Sequence, residues 1–244
     1  MKPRRVVLPD YRSIGVAAAE YILGAARESV RERGWFTLAL SGGKTPSILY
    51  RTLASPPFAG RMPWDLTHVF WGDERCVPPD RPASNYRNAR EILLARVPLP
   101  EEHIYRINGE LGPEEAASAY GRTLAEVFSH DGRRRDSFPV FDCLILGIGS
   151  DGHTSSLFPG DPILLERERW VVPVEAPEGV SPKDRVCLTL PVINRAKRVI
   201  FLVSGAGKRN IITRLYSGYR SAENLPAARV NPAGECLMFT DVSV

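Results

Sequence analysis

Phe141-Asp142-Cys143-Leu144-Ile145-Leu146-Gly147-Ile148-Gly149-Ser150-Asp151-Gly152-His153-Thr154-Ser155-Ser156-Leu157-Phe158-Pro159 is the stretch on which the reading of this chain turns. Its first six residues form a short apolar run rich in branched side chains, the pattern of a strand buried on both faces. The glycines that follow let the backbone turn sharply or approach a ligand closely. His153 stands two residues after Asp151, in a loop at the expected strand end, and its side chain takes up a proton near neutral pH.

Gly147, Gly149 and Gly152 also spell G-x-G-x-x-G. A dinucleotide-binding turn requires a helix to open at those glycines and an acid about twenty positions later, at the end of the next strand. Neither is met: Pro159, Gly160 and Pro162 cut off a helix, and Glu166 and Glu168 precede the strand-like Trp170-Val171-Val172. A nicotinamide cofactor is therefore not expected.

Working outward, Trp35 to Leu40 reads as a second buried strand that empties into Ser41-Gly42-Gly43-Lys44-Thr45-Pro46, with a helix starting at Pro46 and Thr45 as its N-cap. Glycines and free backbone N–H groups at a helix start make a cradle for phosphate, which Lys44 can reinforce. Gly43-Lys44-Thr45 is not a Walker loop, because Leu38 stands where that motif needs glycine. Leu66 to Phe70 is the next strand, followed by Trp71-Gly72-Asp73-Glu74-Arg75-Cys76-Val77-Pro78, and Ser84-Asn85-Tyr86 starts another helix. Arg198 to Val203 leads into Ser204-Gly205-Ala206-Gly207-Lys208, again glycines before a helix with a lysine in its first turn.

Elsewhere, helical spacing predicts helices from Asp10 to about Arg33, stopped by Gly34, and from Pro113 to about His130. Strands are expected at His103–Ile107 (a short edge strand), Trp170–Val174, Arg185–Leu190 and Glu235–Thr240, and Asp131–Asp136 reads as a solvated loop. In a parallel sheet, the loops that follow the strands ending near Leu40, Phe70, Leu146 and Val203 meet at one edge, where ligands gather. The expected fold is α/β: an open, mostly parallel, Rossmann-like sheet with helices on both faces and a few additional antiparallel strands, in one domain over residues 1–244.

Composition sets the outer limits. Across 244 residues Lys plus Arg number 32 and Asp plus Glu 28, a surplus too mild for a dedicated nucleic-acid protein but compatible with an anionic small molecule. Cys76, Cys143, Cys187 and Cys236 form no C-x-x-C pair, and His68, His103, His130 and His153 show no metal-ligand spacing, so no metal site is expected. After Arg4-Arg5 the apolar run Val6-Val7-Leu8 is too short for a secretory signal and nothing later approaches a membrane span, so a cytoplasmic location and no membrane partner are expected.

Ser41 to Pro46, Trp71 to Pro78 with Ser84-Asn85-Tyr86, and Gly149 to Pro159, in that order, resemble the 6-phosphogluconolactonase family, and the resemblance continues through Arg185–Asn194 and Ser204–Lys208. The related glucosamine-6-phosphate deaminases carry Asp-Glu-Tyr where this chain has Asp73-Glu74-Arg75, and Ile-Ala-Phe-Asn-Glu-Pro in place of Thr154 to Pro159. Both differences point to the lactonase. One departure is Met238-Phe239-Thr240 before Asp241, where the lactonases usually have a tryptophan.

The resemblance implies hydrolysis of the δ-lactone of 6-phosphogluconate without cofactor or metal, with a phosphorylated sugar lactone as partner and a monomer expected. His153 would deprotonate the attacking water, and Asp151 would hold either the imidazole or the ring hydroxyls. Arg75, Lys208 and the Ser41, Gly42, Gly43, Lys44 and Thr45 backbone would bind phosphate, with Arg185 near phosphate or oxyanion. Asp73 and Glu74 would contact sugar hydroxyls or position Arg75. Deamination of glucosamine 6-phosphate and non-catalytic phosphosugar binding are the alternatives.

Overall fold

The order of strands in the larger sheet explains why four distant loops share one edge. In a computed structural model, which describes residues 2–129, 138–217 and 224–244, strands β1 (Arg4–Val7), β2 (Phe36–Leu40), β3 (Thr67–Trp71), β5 (Cys143–Leu146), β8 (Arg198–Val203) and β9 (Glu235–Thr240) form a six-stranded sheet. Its order is β1-β9-β8-β5-β2-β3 and every pairing is parallel. The chain winds one way from β2 to β3 and the other way through β5, β8 and β9, so the switch in direction lies between β2 and β5. A crevice opens there, outside the carboxyl ends of the strands.

β2 and β5 are buried at every residue, which is why they read as continuous apolar runs. Helix α1 (Tyr11–Arg33) is capped by the Asp10 carboxylate, which accepts from the Ser13 N–H, and ends at Gly34 in the left-handed conformation (φ 84°). It packs on helix α2 (Pro46–Leu53) and against β2 and β9. Helix α4 (Pro113–Ser129) lays Phe128 against Phe70 and Phe141. Among the described residues, no helix is long and apolar enough to cross a membrane.

A second sheet is antiparallel, in the order β4 (Asp73–Arg75), β7 (Asp184–Leu188), β6 (Val171–Glu175). The chain passes from one sheet to the other at Gly72, whose N–H still donates to Leu40 O while its carbonyl accepts from Leu188 N–H. Helix α3 (Asn85–Ile92) follows, with the Ser84 hydroxyl accepting from Arg87 N–H as N-cap. At the opposite edge of the parallel sheet the fully buried Asp142 accepts from the Thr37 N–H and hydroxyl, both at 2.9 Å, and pairs with Arg33 and with Lys197 at 3.2 Å. That ion cluster ties the end of α1 to the starts of β2 and β5.

Two expectations are corrected, and two elements were not anticipated. His103–Ile107 is not a strand: a 3₁₀ turn at Glu101–His103 leads to one bridge between Ile104 and Val69, and the β3 edge is covered by rings, His103 stacked on His68 and Tyr105 on Phe70. Asp73-Glu74-Arg75 forms β4 where a loop was expected, because Cys187, Val186 and Arg185 lie opposite it in register. Arg4–Val7, too short to stand out, is edge strand β1, and Pro191–Asn194 lies in a short helix α5 (Leu190–Arg195) with Pro191 in its first turn. Asp131–Asp136 lies outside the described residues.

Candidate active site

Around His153 the loop is braced so that alternate side chains face opposite ways. Thr154 and Ser156 are fully buried: the Thr154 hydroxyl donates to Gly147 O at 2.8 Å, and the Ser156 hydroxyl donates to Asp73 Oδ2 at 2.5 Å. Ser155 between them takes a left-handed φ of 53°. Gly149 donates its N–H to His153 O at 2.8 Å, and a Cβ on it would lie 2.2 Å from His153 Nδ1 and 2.5 Å from Asp151 Oδ1. Glycine is needed at that position for close approach of the two side chains. No helix opens at Gly147 to Gly152, in keeping with the rejection of a dinucleotide turn.

Asp151 Oδ1 accepts from the His153 ring Nδ1 at 2.7 Å and from the His153 N–H at 3.1 Å. A carboxylate only accepts, so Nδ1 carries the proton and the lone pair lies on Nε2. Of the two jobs open to Asp151, the geometry is that of holding the imidazole. Partial burial works to raise the Asp151 carboxyl, and the His153 amide, charge and ring outweigh it, keeping the group below the usual carboxylate range. His153 is 34% exposed, and its ring lies 5.0 Å from that of Phe158.

These groups open onto a cavity of about 510 Å³ at the switch point, lined by Ser41 to Pro46, by Gly147 to Ser150 with His153 and Ser155, and by Lys208. Asp73, Arg75, Asn85 and Arg185 close it from the small sheet and α3. Every expected site residue except Asp151 and Glu74 lines it, and Asp151 reaches it through His153. A larger groove, about 810 Å³, runs along α3, but Arg87 and Arg106 there are already paired with Glu91 and Glu110 and no histidine lines it.

The cradle is narrower than expected. Ser41 N–H donates to the Tyr50 hydroxyl at 3.0 Å, and that hydroxyl donates back to Ser41 O at 2.5 Å, so the Ser41 backbone is committed to the buried Tyr50. The N–H groups of Gly42, Gly43, Lys44 and Thr45 have no acceptor among the described residues. Thr45 stands at the N-cap of α2 but makes no side-chain capping bond, and Pro46 occupies the first turn as expected. Lys44 is exposed, while Lys208 donates from Nζ to Ile148 O at 2.7 Å. Asp241 accepts from the Ser204 hydroxyl and from Gly205 N–H, so the C-terminal acid shapes the loop that carries Lys208.

Across the cavity, Arg75 and Arg185 sit directly opposite one another on β4 and β7. Like charges so placed repel. Burial, and then the Arg75 charge, lower the pKa of the Arg185 guanidinium, which is 6% exposed. Arg75 Nη1 donates to Ala83 O at 2.6 Å, Arg185 Nε to Pro182 O at 3.0 Å, and the Arg185 guanidinium lies 5.8 Å over Phe158. Asp73, buried and bonded to Ser156, is the nearby counter-charge. Glu74 turns away from the cavity: it accepts from the N–H groups of Arg75, Asn85 and Tyr86 and from the Ser84 hydroxyl. Burial raises its pKa despite those bonds, and its task is to position the segment.

The model of the family described as glucosamine-6-phosphate isomerases/6-phosphogluconolactonase matches residues 9–239. The chain belongs to this family. Among relatives of this glucosamine-6-phosphate isomerase/6-phosphogluconolactonase chain, the 6-phosphogluconolactonase of Synechocystis is 40% identical over 99% of this chain and 96% of its own length. That of Homo sapiens is 41% identical over 96% and 90%. The solved 6-phosphogluconolactonase of Trypanosoma cruzi superposes with a TM-score of 0.86 at 29% identity, covering 98% of this chain and 94% of that one. A monomeric glucosamine-6-phosphate deaminase shares the fold, with a TM-score of 0.77 at 19% identity, covering 98% and 97%.

Proposed function

We propose that this chain is a 6-phosphogluconolactonase, hydrolysing 6-phospho-D-glucono-1,5-lactone to 6-phospho-D-gluconate. One observation carries the assignment of roles: the Asp151-oriented His153 opens onto the same cavity as the Gly42–Thr45 cradle and the Arg75–Arg185 pair. The phosphate is the permanent charge of the substrate, and the cradle, Lys208 and the arginines are the complementary groups. His153 Nε2 takes a proton from water as the water oxygen bonds to the lactone carbonyl carbon. The bond from that carbon to the ring oxygen then breaks, and the proton passes from the imidazolium to the leaving oxygen, giving the open acid. Guanidinium N–H groups suit the oxygen on which charge develops.

The test is hydrolysis of the phospholactone measured above its spontaneous opening. His153→Ala should retain binding of 6-phosphogluconate and lose roughly two to four orders of magnitude in turnover. Near-full turnover in that variant removes His153 as the base, and release of ammonia from glucosamine 6-phosphate by the wild type would assign the site to the deaminase branch.

A further inference from the structure

Asn85 starts a helix, and on sequence grounds that is all it does. Its backbone N–H donates to Glu74, and its side chain does something separate. Nδ2 donates to Asp73 O at 2.9 Å, tying α3 to the strand that carries Arg75. Oδ1 lies against the glycine cradle: a Cβ on Gly42 would fall 1.9 Å from it. The residue is 2% exposed, and Oδ1 is buried with no hydrogen-bond partner, as is Arg75 Nε. A buried acceptor without a donor is destabilising, because its lost hydration is not replaced. Helix capping does not explain that cost, because Ser84 already caps α3. Both orphaned atoms belong to residues that line the cavity.

We propose that Asn85 is a positioning residue for phosphate recognition: its carboxamide is the spacer that fixes the distance between the Gly42 cradle on the parallel sheet and Arg75 on the small sheet. The cradle is attached to β2 and α2, whereas Arg75 is attached to β4 and, through Nη1, to Ala83. Asn85 touches both bodies. Gly42 has no side chain because the carboxamide occupies that volume. The two anion-binding groups then converge on one phosphate without either having to move.

This rests on the lactonase reading, and the test separates the two. Wild-type enzyme must hydrolyse 6-phosphogluconolactone; if it does not, the reading of the site fails whatever Asn85 does. Given that activity, Asn85→Ala should raise KM for the phosphorylated lactone about ten- to a hundredfold, the scale of a misplacement near 1 Å. Its kcat should stay within a few-fold, and kcat/KM for unphosphorylated glucono-δ-lactone should not change. A merely structural role would lower Tm and move both substrates alike, and that result overturns the proposal, as does an unchanged KM. Should Asn85→Ala fold poorly, Gly42→Ala supplies the second measurement. Its methyl group collides with the Asn85 carboxamide, so Gly42→Ala should raise the phospholactone KM, and adding Asn85→Ser, a shorter polar side chain that relieves the collision, should lower that KM again. Independent, multiplying effects would show that the contact does not couple the two bodies.

Discussion

Gly149→Ala tests the proposed Asp151–His153 dyad without substituting either of its members. Gly149 does not adopt a left-handed φ, so alanine is compatible with its backbone, and the entire effect comes from where the methyl group must go. That carbon would lie 2.2 Å from His153 Nδ1 and 2.5 Å from Asp151 Oδ1. Non-bonded atoms of this kind settle near 3.5 Å, so the ring has to retreat by about 1.3 Å or the hydrogen bond has to break. Displacements of about 1 Å cost roughly a hundredfold in rate, and full loss of a general base costs about 10²–10⁴. We therefore expect kcat to fall about 10²- to 10³-fold, with KM much less affected because the atoms the methyl would strike belong to His153 and Asp151. The assay is acid release at constant pH and saturating phospholactone, with the spontaneous rate subtracted. Gly121→Ala in α4, where a Cβ meets nothing within 4 Å, controls for handling and should leave kcat alone. A kcat for Gly149→Ala within threefold of wild type would refute the claim that the Asp151–His153 contact sets the rate.

Three further outcomes follow from the same geometry. Burial, and then neighbouring His103, lower the pKa of His68 from 6.5 to about 4, so the folded state favours the neutral ring; the associated stability is complete above pH 6.5 and declines as the pH falls towards 4. After allowance for partial exposure the loss is roughly 1–2 kcal/mol, read from urea melts across that range, and His68→Phe should flatten the dependence. Arg75→Ala should raise KM for the phospholactone about ten- to a hundredfold, with Arg75→Lys intermediate because it keeps charge without the fork; an unchanged KM in the alanine variant removes Arg75 from phosphate binding. Asp142→Ala should cost about 3–5 kcal/mol in denaturant stability, since Arg33 and Lys197 lose a buried partner, while the folded fraction keeps its turnover number.

What could be read in advance was whatever lies close together along the chain. Buried strands announce themselves as apolar runs, and glycines followed by a helix start marked the Ser41 and Ser204 loops, so the edge on which ligands gather was legible. The spacing of Asp151 and His153 left two roles open, and only the 2.7 Å bond between their side chains distinguishes them. Contact with sugar hydroxyls or positioning of Arg75 was open to both Asp73 and Glu74, and alternation along β4 turns the first towards the cavity and the second towards α3. Residues brought together by strand register were not legible. Arg185 stands opposite Arg75 because β4 pairs antiparallel with β7, and no local pattern in either segment encodes that pairing. Asn85 was hidden for a different reason: a helix start explains its sequence context completely, and its second role exists only where α3 meets the cradle.

The division of the site between two sheets also separates its physical tasks. The parallel sheet supplies fixed dipoles, the base and its orienting acid, all on loops whose strands are buried on both faces. The repelling pair of guanidiniums belongs to the small sheet, where the Arg75–Arg185 opposition is tolerated because Asp73 stands beside it and because an anion relieves it. Such a pair gains stability when phosphate arrives, so ligand binding should be linked to the stability of the small sheet more than to that of the large one. Around the cavity the two bodies are linked by Ser156 to Asp73, Leu188 to Gly72, and Asn85 against Gly42, and away from it by helix α4, which packs on β6 and β7. Hydrogen exchange with and without 6-phosphogluconate should accordingly slow at Asp73–Arg75 and Asp184–Leu188, with much smaller changes at Cys143–Leu146. Equal protection of both sheets would mean that the arginine pair is not strained before the ligand binds.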